Sequence, residues 1–289
     1  MKLILNDLKD PWKTTIRTPL IQIKGNLYAK LETVNPTGSI KDRLIQHLIK
    51  KAIGRGELTN RSKLIEATSG NTGISLAAVG ASLGLPVEII MPENMSVERR
   101  QMMSAFGAKI IYVGRSDFSA AIDKRNEMVK SEGRYWSPMQ FENSENIECH
   151  ALNTAQEILE QLPENNFEVF VSGAGTGGTI MGVRLALLKH RLQTKTVLVK
   201  PLEPAHMHGI QGINDGSDFL AKPSLLDLIM SVSTSAAKNR ASLFARERGV
   251  LVGPSAGANL VAAERFIDLY KPRGAVVTIL CDRGERYLS

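Results

Sequence analysis

Cysteine is scarce in this chain: Cys149 and Cys281 are the only two among 289 residues, and neither sits in metal-type spacing. Two unpatterned cysteines speak against a disulfide scaffold and suit a reducing compartment, the cytoplasm. Long apolar runs are missing too. The longest are short strands, well under the roughly 18 residues that a membrane-spanning helix needs. The opening "MKLILNDLKDPWKTT" has one brief apolar patch followed by charges, which is not the pattern of a secretory signal. Aromatics make up only 5%, and the bases behind the formal charge of +7 alternate with acids, as in "IDKRNEMVKSE". Without clustered bases interleaved with aromatics, the charge reads as a solvated surface, and no nucleic-acid partner is expected.

What is present is a recurring unit: an apolar β-type run, a turn of small residues, then a helical period. "KLIEA" leads through "TSGNTG" to "ISLAAVGASLG", and "VEIIMP" leads to "SVERRQMMSAFG". "KIIYVG" precedes "DFSAAIDKRNEMVKSE", "FEVFVSG" leads through "AGTGGT" to "IMGVRLALLKHR", and "VLVG" leads through "PSAG" to "ANLVAAERFIDLY". Such alternation predicts βαβ units on parallel sheets, and strands apolar on both faces predict helices on both sides. The expected fold is α/β, with doubly wound parallel sheets in two lobes. Breaks at "NPTG" and at the polar "ENSENIE" place residues 38–146 in a smaller lobe, with 1–37 and 147–289 in a larger one.

A strand that feeds a glycine-containing turn into a helix N-terminus makes an anion site, because free backbone N–H groups and the helix dipole both favour negative charge. "TSGNTG" and Gly175-Thr176-Gly177-Gly178-Thr179 fit this description. Neither has the residues of a Rossmann fingerprint or a Walker motif. Each alone also reads as a helix-capping turn; the pair points to two anionic groups, or to one ligand with an anion at both ends. In "NPTGSIKDRLIQHLI", Ser39 with Asp42 predicts a capping box, which puts Lys41 in a helix's first turn. A cation there opposes the dipole. Two readings stand: a solvated lysine tolerated at slight cost, or an amine held ready for Schiff-base chemistry.

The segments "NPTGSIKDR", "EATSGNTGISLA", "MPENMSVERR", "FGAKI", "QFEN", "SGAGTGGTIMG", "IQGI", "VGPSAGA" and "CDRGERYLS" occur in this order from about Thr18 onward. In that order and spacing they resemble the fold-type II pyridoxal-phosphate enzymes, and among these the cysteine synthases (O-acetylserine sulfhydrylases), with an ending like the B isozyme. The resemblance implies pyridoxal 5′-phosphate as cofactor, with Lys41 as its Schiff-base lysine and general base. It implies that Thr68, Ser69, Asn71 and Thr72 grip the substrate α-carboxylate, Asn71 also meeting the cofactor's 3′-oxygen. Gln140 would be a second carboxylate contact, and Gly212 would line the substrate site. Gly175, Thr176, Gly177, Gly178 and Thr179 would cradle the phosphate, and Ser255 would meet the pyridine nitrogen.

The implied reaction is a transferase β-replacement: O-acetyl-L-serine loses acetate through an α-aminoacrylate intermediate, and sulfide, or thiosulfate, adds to give the cysteine product. A homodimer and closure of the smaller lobe on substrate are implied as well. The alternatives are a related β-synthase making cystathionine, S-sulfocysteine, cyanoalanine or diaminopropionate, a dehydratase, or a non-catalytic homologue. Three departures stand out: Arg17 before Thr18-Pro19-Leu20 where the family has asparagine, Pro254 before Ser255-Ala256-Gly257, and an ending at "RYLS" where relatives continue. Relatives that use O-phosphoserine carry an arginine in the loop after "EP"; here Ile213 falls at that place, and "EPAHMHGIQGINDGSDF" holds neither arginine nor lysine. His206 and His208 in that loop lack the further ligands of a zinc site, so no metal is expected. Cys281 reads as a buried, inert thiol, and Met95, Met102 and Met103 as packing residues.

Overall fold

The computed structural model describes residues 2–163, 167–203 and 220–288. The first elements are β1 (Leu20–Lys24), β2 (Leu27–Leu31), α1 (Lys41–Gly54), β3 (Lys63–Ala67), α2 (Asn71–Leu83) and β4 (Val87–Pro92). There follow α3 (Val97–Ala105), β5 (Lys109–Val113), α4 (Phe118–Ser131), β6 (Tyr135–Trp136), α5 (Glu145–Cys149) and α6 (Ala155–Gln161), the last two joined by a π-helical turn, His150–Thr154. The chain ends with β7 (Val169–Gly173), α7 (Gly178–Lys189), β8 (Lys195–Pro201), β9 (Leu228–Val232), α8 (Thr234–Arg248), α9 (Pro254–Tyr270) and β10 (Val276–Leu280).

These elements form two compact units, residues 1–16 with 35–139 and residues 17–34 with 140–289. The first unit holds a four-stranded parallel sheet in the order β5-β4-β3-β6. Every residue of β4 is buried, as a strand covered on both faces must be. Leu64, Ile89 and Met91 pack with Ile45, Ile49, Ile74 and Ala77 of α1 and α2, while Ile65, Ala67 and Ile90 pack with Ala121 of α4. Residues 1–16, expected with the larger lobe, belong here instead, because Leu3, Leu8 and Trp12 are buried in this same core. Met103 is buried there as well, and Met95 and Met102 pack against it, as expected.

The second unit holds a sheet in the order β1-β2-β10-β7-β8-β9. Among this sheet's described strand pairs only the β1–β2 hairpin is antiparallel. Fully buried β10 lies between β2 and β7, which brings the C-terminal ends of β7 and β10 side by side.

Two local expectations fail. "VLVG" is not a strand: Val252 makes a single bridge to Arg283, since both edges of β10 are already taken by β2 and β7. "PSAG" is not a turn before a helix but the first turn of α9 itself, with Pro254 at a position where its missing N–H costs nothing.

Candidate active site

In the first unit, β3 runs into a short turn, and α2 starts at Asn71. The turn is held at its root by Thr68 N donating to Ile90 O at 3.0 Å and by Gly70 N donating to Thr68 Oγ1 at 3.2 Å. Gly70 stands at the N-cap in an extended conformation and no side chain caps the helix, so the positive end of the α2 dipole lies at this turn. Glycine at 73 leaves room for its neighbours: a Cβ would lie 2.8 Å from Met103 Cε and 3.0 Å from Thr68 Cγ2. Thr68 and Thr72 are buried, Ser69 and Asn71 half-buried. Arg99 on α3 donates to Ser69 O at 3.5 Å.

Lys41 is the first residue of α1, half-buried, as the sequence led us to expect. The capping box is not formed. Ile40 takes the cap position, and Ser39 Oγ accepts from Lys41 N at 3.3 Å. The carboxylate of Asp42 turns away from the helix end. It accepts from Thr37 N at 2.6 Å, from Thr37 Oγ1 at 2.5 Å and from Ser75 Oγ on α2 at 2.5 Å. A fully buried carboxylate needs such a set of donors. The consequence is that the first turn of α1, with Lys41, is tied to α2 one turn past Asn71.

In the second unit, β7 leads through residues 174–177 into α7. Gly177 is the N-cap with φ +89°, a conformation that favours glycine, and again no side chain caps the helix. Thr176 Oγ1 accepts from Gly178 N at 3.3 Å and from Asn146 Nδ2 at 3.0 Å. The same Nδ2 donates to Gln140 O at 2.9 Å, so buried Asn146 joins the Gln140 backbone to the glycine turn. Thr179 Oγ1 lies 3.3 Å from His150 Nε2, and His150 Nδ1 lies 2.9 Å from Thr154 Oγ1, across the π-helical turn.

Ser255 is half-buried in the first turn of α9. Four residues on, Asn259 Oδ1 accepts from Gly173 N at 2.7 Å and Nδ2 donates to Ile279 O at 2.9 Å, which joins α9 to the ends of β7 and β10. Cys281 is half-buried, not buried, with its thiol 3.6 Å from Asn259 Nδ2. It is the residue that follows β10. Gly212, His206, His208 and Ile213 lie outside the described residues.

Each unit thus assembles its own share of the expected residues: Lys41, Thr68, Ser69, Asn71 and Thr72 in the first, and Gln140, Gly175–Thr179 and Ser255 in the second. Sequence reasoning did not single out Asp42's link to Ser75, nor Asn146, His150 and Asn259. The only local signal was an unusual density of polar residues in "NSENIECH".

A family model described as "Pyridoxal-phosphate dependent enzyme" matches residues 12–282, and the chain belongs to that family. It is a pyridoxal-phosphate-dependent enzyme. Within the family it is 40% identical to cysteine synthase B of Campylobacter jejuni over 94% of both chains. Among solved structures it superposes on O-acetylserine sulfhydrylase isoform 3 from Entamoeba histolytica with a TM-score of 0.86, at 36% identity over 96% of this chain and 89% of that one. O-ureido-L-serine synthase gives a TM-score of 0.88 at 32% identity, over 96% and 92%. The chain therefore stands with the cysteine synthases and their β-replacing relatives.

The residues present fit the cofactor. The turn at 175–179 offers backbone amides, two threonine hydroxyls and an uncapped helix N-terminus, the donor set that a phosphate dianion takes. A Cβ on exposed Gly175 would meet nothing within 4 Å, so the turn is open on that side.

Proposed function

We propose that this enzyme makes L-cysteine from O-acetyl-L-serine and sulfide. When bound, pyridoxal phosphate supplies an electron sink conjugated to the substrate's Cα. Gly175, Thr176, Gly177, Gly178 and Thr179 would hold its phosphate, Ser255 Oγ would face its pyridine nitrogen, and Asn71 its 3′-oxygen. Lys41 would carry it covalently. Thr68, Ser69, Asn71 and Thr72, with Gln140, bind the substrate carboxylate, and the α2 dipole adds to that attraction. Lys41 Nζ would take the substrate's Cα proton and return it once sulfur is bonded at Cβ. A serine hydroxyl at the pyridine nitrogen does not enforce ring protonation as a carboxylate would, which favours prompt departure of the β-substituent over transamination.

The observation that carries the reading is the Asp42 bridge. It fixes the lysine's helix turn to the helix that presents the carboxylate-binding turn, so base and substrate anchor keep one geometry. Lys41→Ala tests it. The variant is expected to lose the borohydride-fixed cofactor label and about 10²–10⁴-fold in β-replacement rate, the usual contribution of a positioned base. A variant that keeps label and rate refutes the assignment.

The ester follows from charge. A dianionic phosphate leaving group without a paired cation forgoes charge-assisted hydrogen bonds of roughly 1.5–3 kcal/mol each. O-acetylserine is therefore expected to exceed O-phosphoserine by about ten-fold or more in kcat/KM. A preference for the phosphate ester in steady-state comparison overturns this.

We further propose that the enzyme works as a homodimer in the cytoplasm. Cys149 and Cys281, neither in a disulfide, support a reducing compartment, and the dimer rests on the family resemblance alone. Light scattering reads the mass.

A further inference from the structure

The first unit buries an ion pair that the reaction as derived above does not use. Arg125 on α4 and Glu66 on β3 are both fully shielded from solvent, with Nη1 and Oε1 3.0 Å apart. Arg125 and Ala121 are the only buried residues of α4, and Ala121 packs with Ile65, Ala67 and Ile90. An apolar pair would fill such a position at no desolvation cost, so a buried pair stands as a geometric device more readily than as a source of stability.

Its partners show what it holds. The β3–β6 ladder stops at Leu64 and Trp136. Beyond that point the two chains are linked by the guanidinium: Nη1 also donates to Ser137 Oγ, at 3.4 Å. Glu66 Oε1 accepts from Ala67 N at 2.8 Å, and the next residue is Thr68. Ser137 Oγ accepts from Met139 N at 3.3 Å, in a turn where Met139 has φ +50°, and the next residue is Gln140. One buried cation thus joins the roots of both segments assigned to the substrate carboxylate.

We propose that Arg125 is a positioning residue for the amino-acid substrate, setting the Thr68–Thr72 turn and the approach to Gln140 through Glu66 and Ser137. The proposal rests on the assignment of those segments to the carboxylate.

The test compares the double variant Glu66→Met/Arg125→Met, Ser137→Ala and Ser69→Ala in the holoenzyme. The double variant replaces the ion pair by apolar side chains and is expected to melt near the wild-type temperature with full cofactor content. Its KM for O-acetylserine should rise about tenfold, with the KM for sulfide unchanged. Ser137→Ala leaves the ion pair in place and serves where the double variant does not fold. Its KM for O-acetylserine should rise about threefold at unchanged melting temperature, because only one arm is cut. An unchanged KM in Ser137→Ala, or in a folded double variant, overturns the positioning role, as does an equal rise in both substrates' KM. Ser69→Ala reads the loop assignment itself. An unchanged KM there overturns that assignment and the proposal with it, whereas a raised KM there beside unchanged values in the other variants overturns the positioning role alone.

Discussion

Gly178→Ala perturbs the turn proposed to hold the cofactor's phosphate, and the size of the effect can be worked from the packing. A Cβ at 178 would stand 1.9 Å from Asn146 Oδ1, 2.4 Å from its Cγ and 3.0 Å from its Nδ2. No rotation of the new methyl relieves this, so the Asn146 side chain must leave. It then gives up its bonds to Thr176 Oγ1 and Gln140 O, at about 0.5–1.5 kcal/mol each. Overpacking of a fully buried site adds about 1–3 kcal/mol. The expected destabilisation is therefore about 2–6 kcal/mol.

Because Asn146 bonds Thr176 in the turn proposed to hold the phosphate, cofactor affinity should fall as well. The assay is urea unfolding of the apoenzyme with a cofactor titration, run on Gly178→Ala, Asn146→Ala and the double variant. Asn146→Ala alone should cost about 1–3 kcal/mol for its two bonds. In the Gly178→Ala background it should cost nothing, or restore stability, since the clash is gone. Gly175→Ala, whose methyl meets nothing within 4 Å, is the control and should unfold as wild type does. Additive costs in the double variant, or a Gly178→Ala protein as stable as the control, would refute the reasoning.

Ser75→Ala removes the donor that ties Asp42 to α2 and should cost about 1.5–3 kcal/mol, the value of a hydrogen bond to a charged group, as well as lowering kcat at full cofactor content; thermal melts and steady-state rates check both. Tyr135 donates to Glu88 Oε2 at 2.7 Å, and burial, then that bond and the carboxylate's charge, hold its phenol well above the ordinary value near 10. A phenol that stays protonated in the folded state while the unfolded chain ionises contributes stability below pH 10 that is lost as pH rises beyond it. Tyr135→Phe should therefore flatten the decline of the melting temperature above pH 10, and an unchanged alkaline slope would count against this source.

Much of the fold was legible because strand and helix periods are local. "KLIEA" and "VEIIMP" are β3 and β4 residue for residue, and the turns "TSGNTG" and "GTGGT" do open α2 and α7. "VLVG" misled because its pattern is that of a strand, while strand formation also needs a free edge on a neighbour, which β10 does not offer. The Ser39–Asp42 spacing misled in the same way. A capping box competes with any better set of donors, and Thr37 and Ser75 supplied one.

The sequence by itself determined the βαβ alternation, the two glycine turns at helix starts, the lysine at a helix start and, through its ordered motifs, the family. Tertiary structure alone decided which polar side chains support them. Lys30 and Glu157, which no local pattern singles out, meet in the interior at 2.7 Å, and Arg125 and Glu66 do the same in the other unit. Asn146 and Asn259 carry no local signal of their role, yet each bonds two separate segments. Periodicity and turn chemistry act over a few residues and can be read along the chain. A buried polar group is stable only where donors and acceptors from distant segments converge on it, and that convergence exists only once the chain has folded.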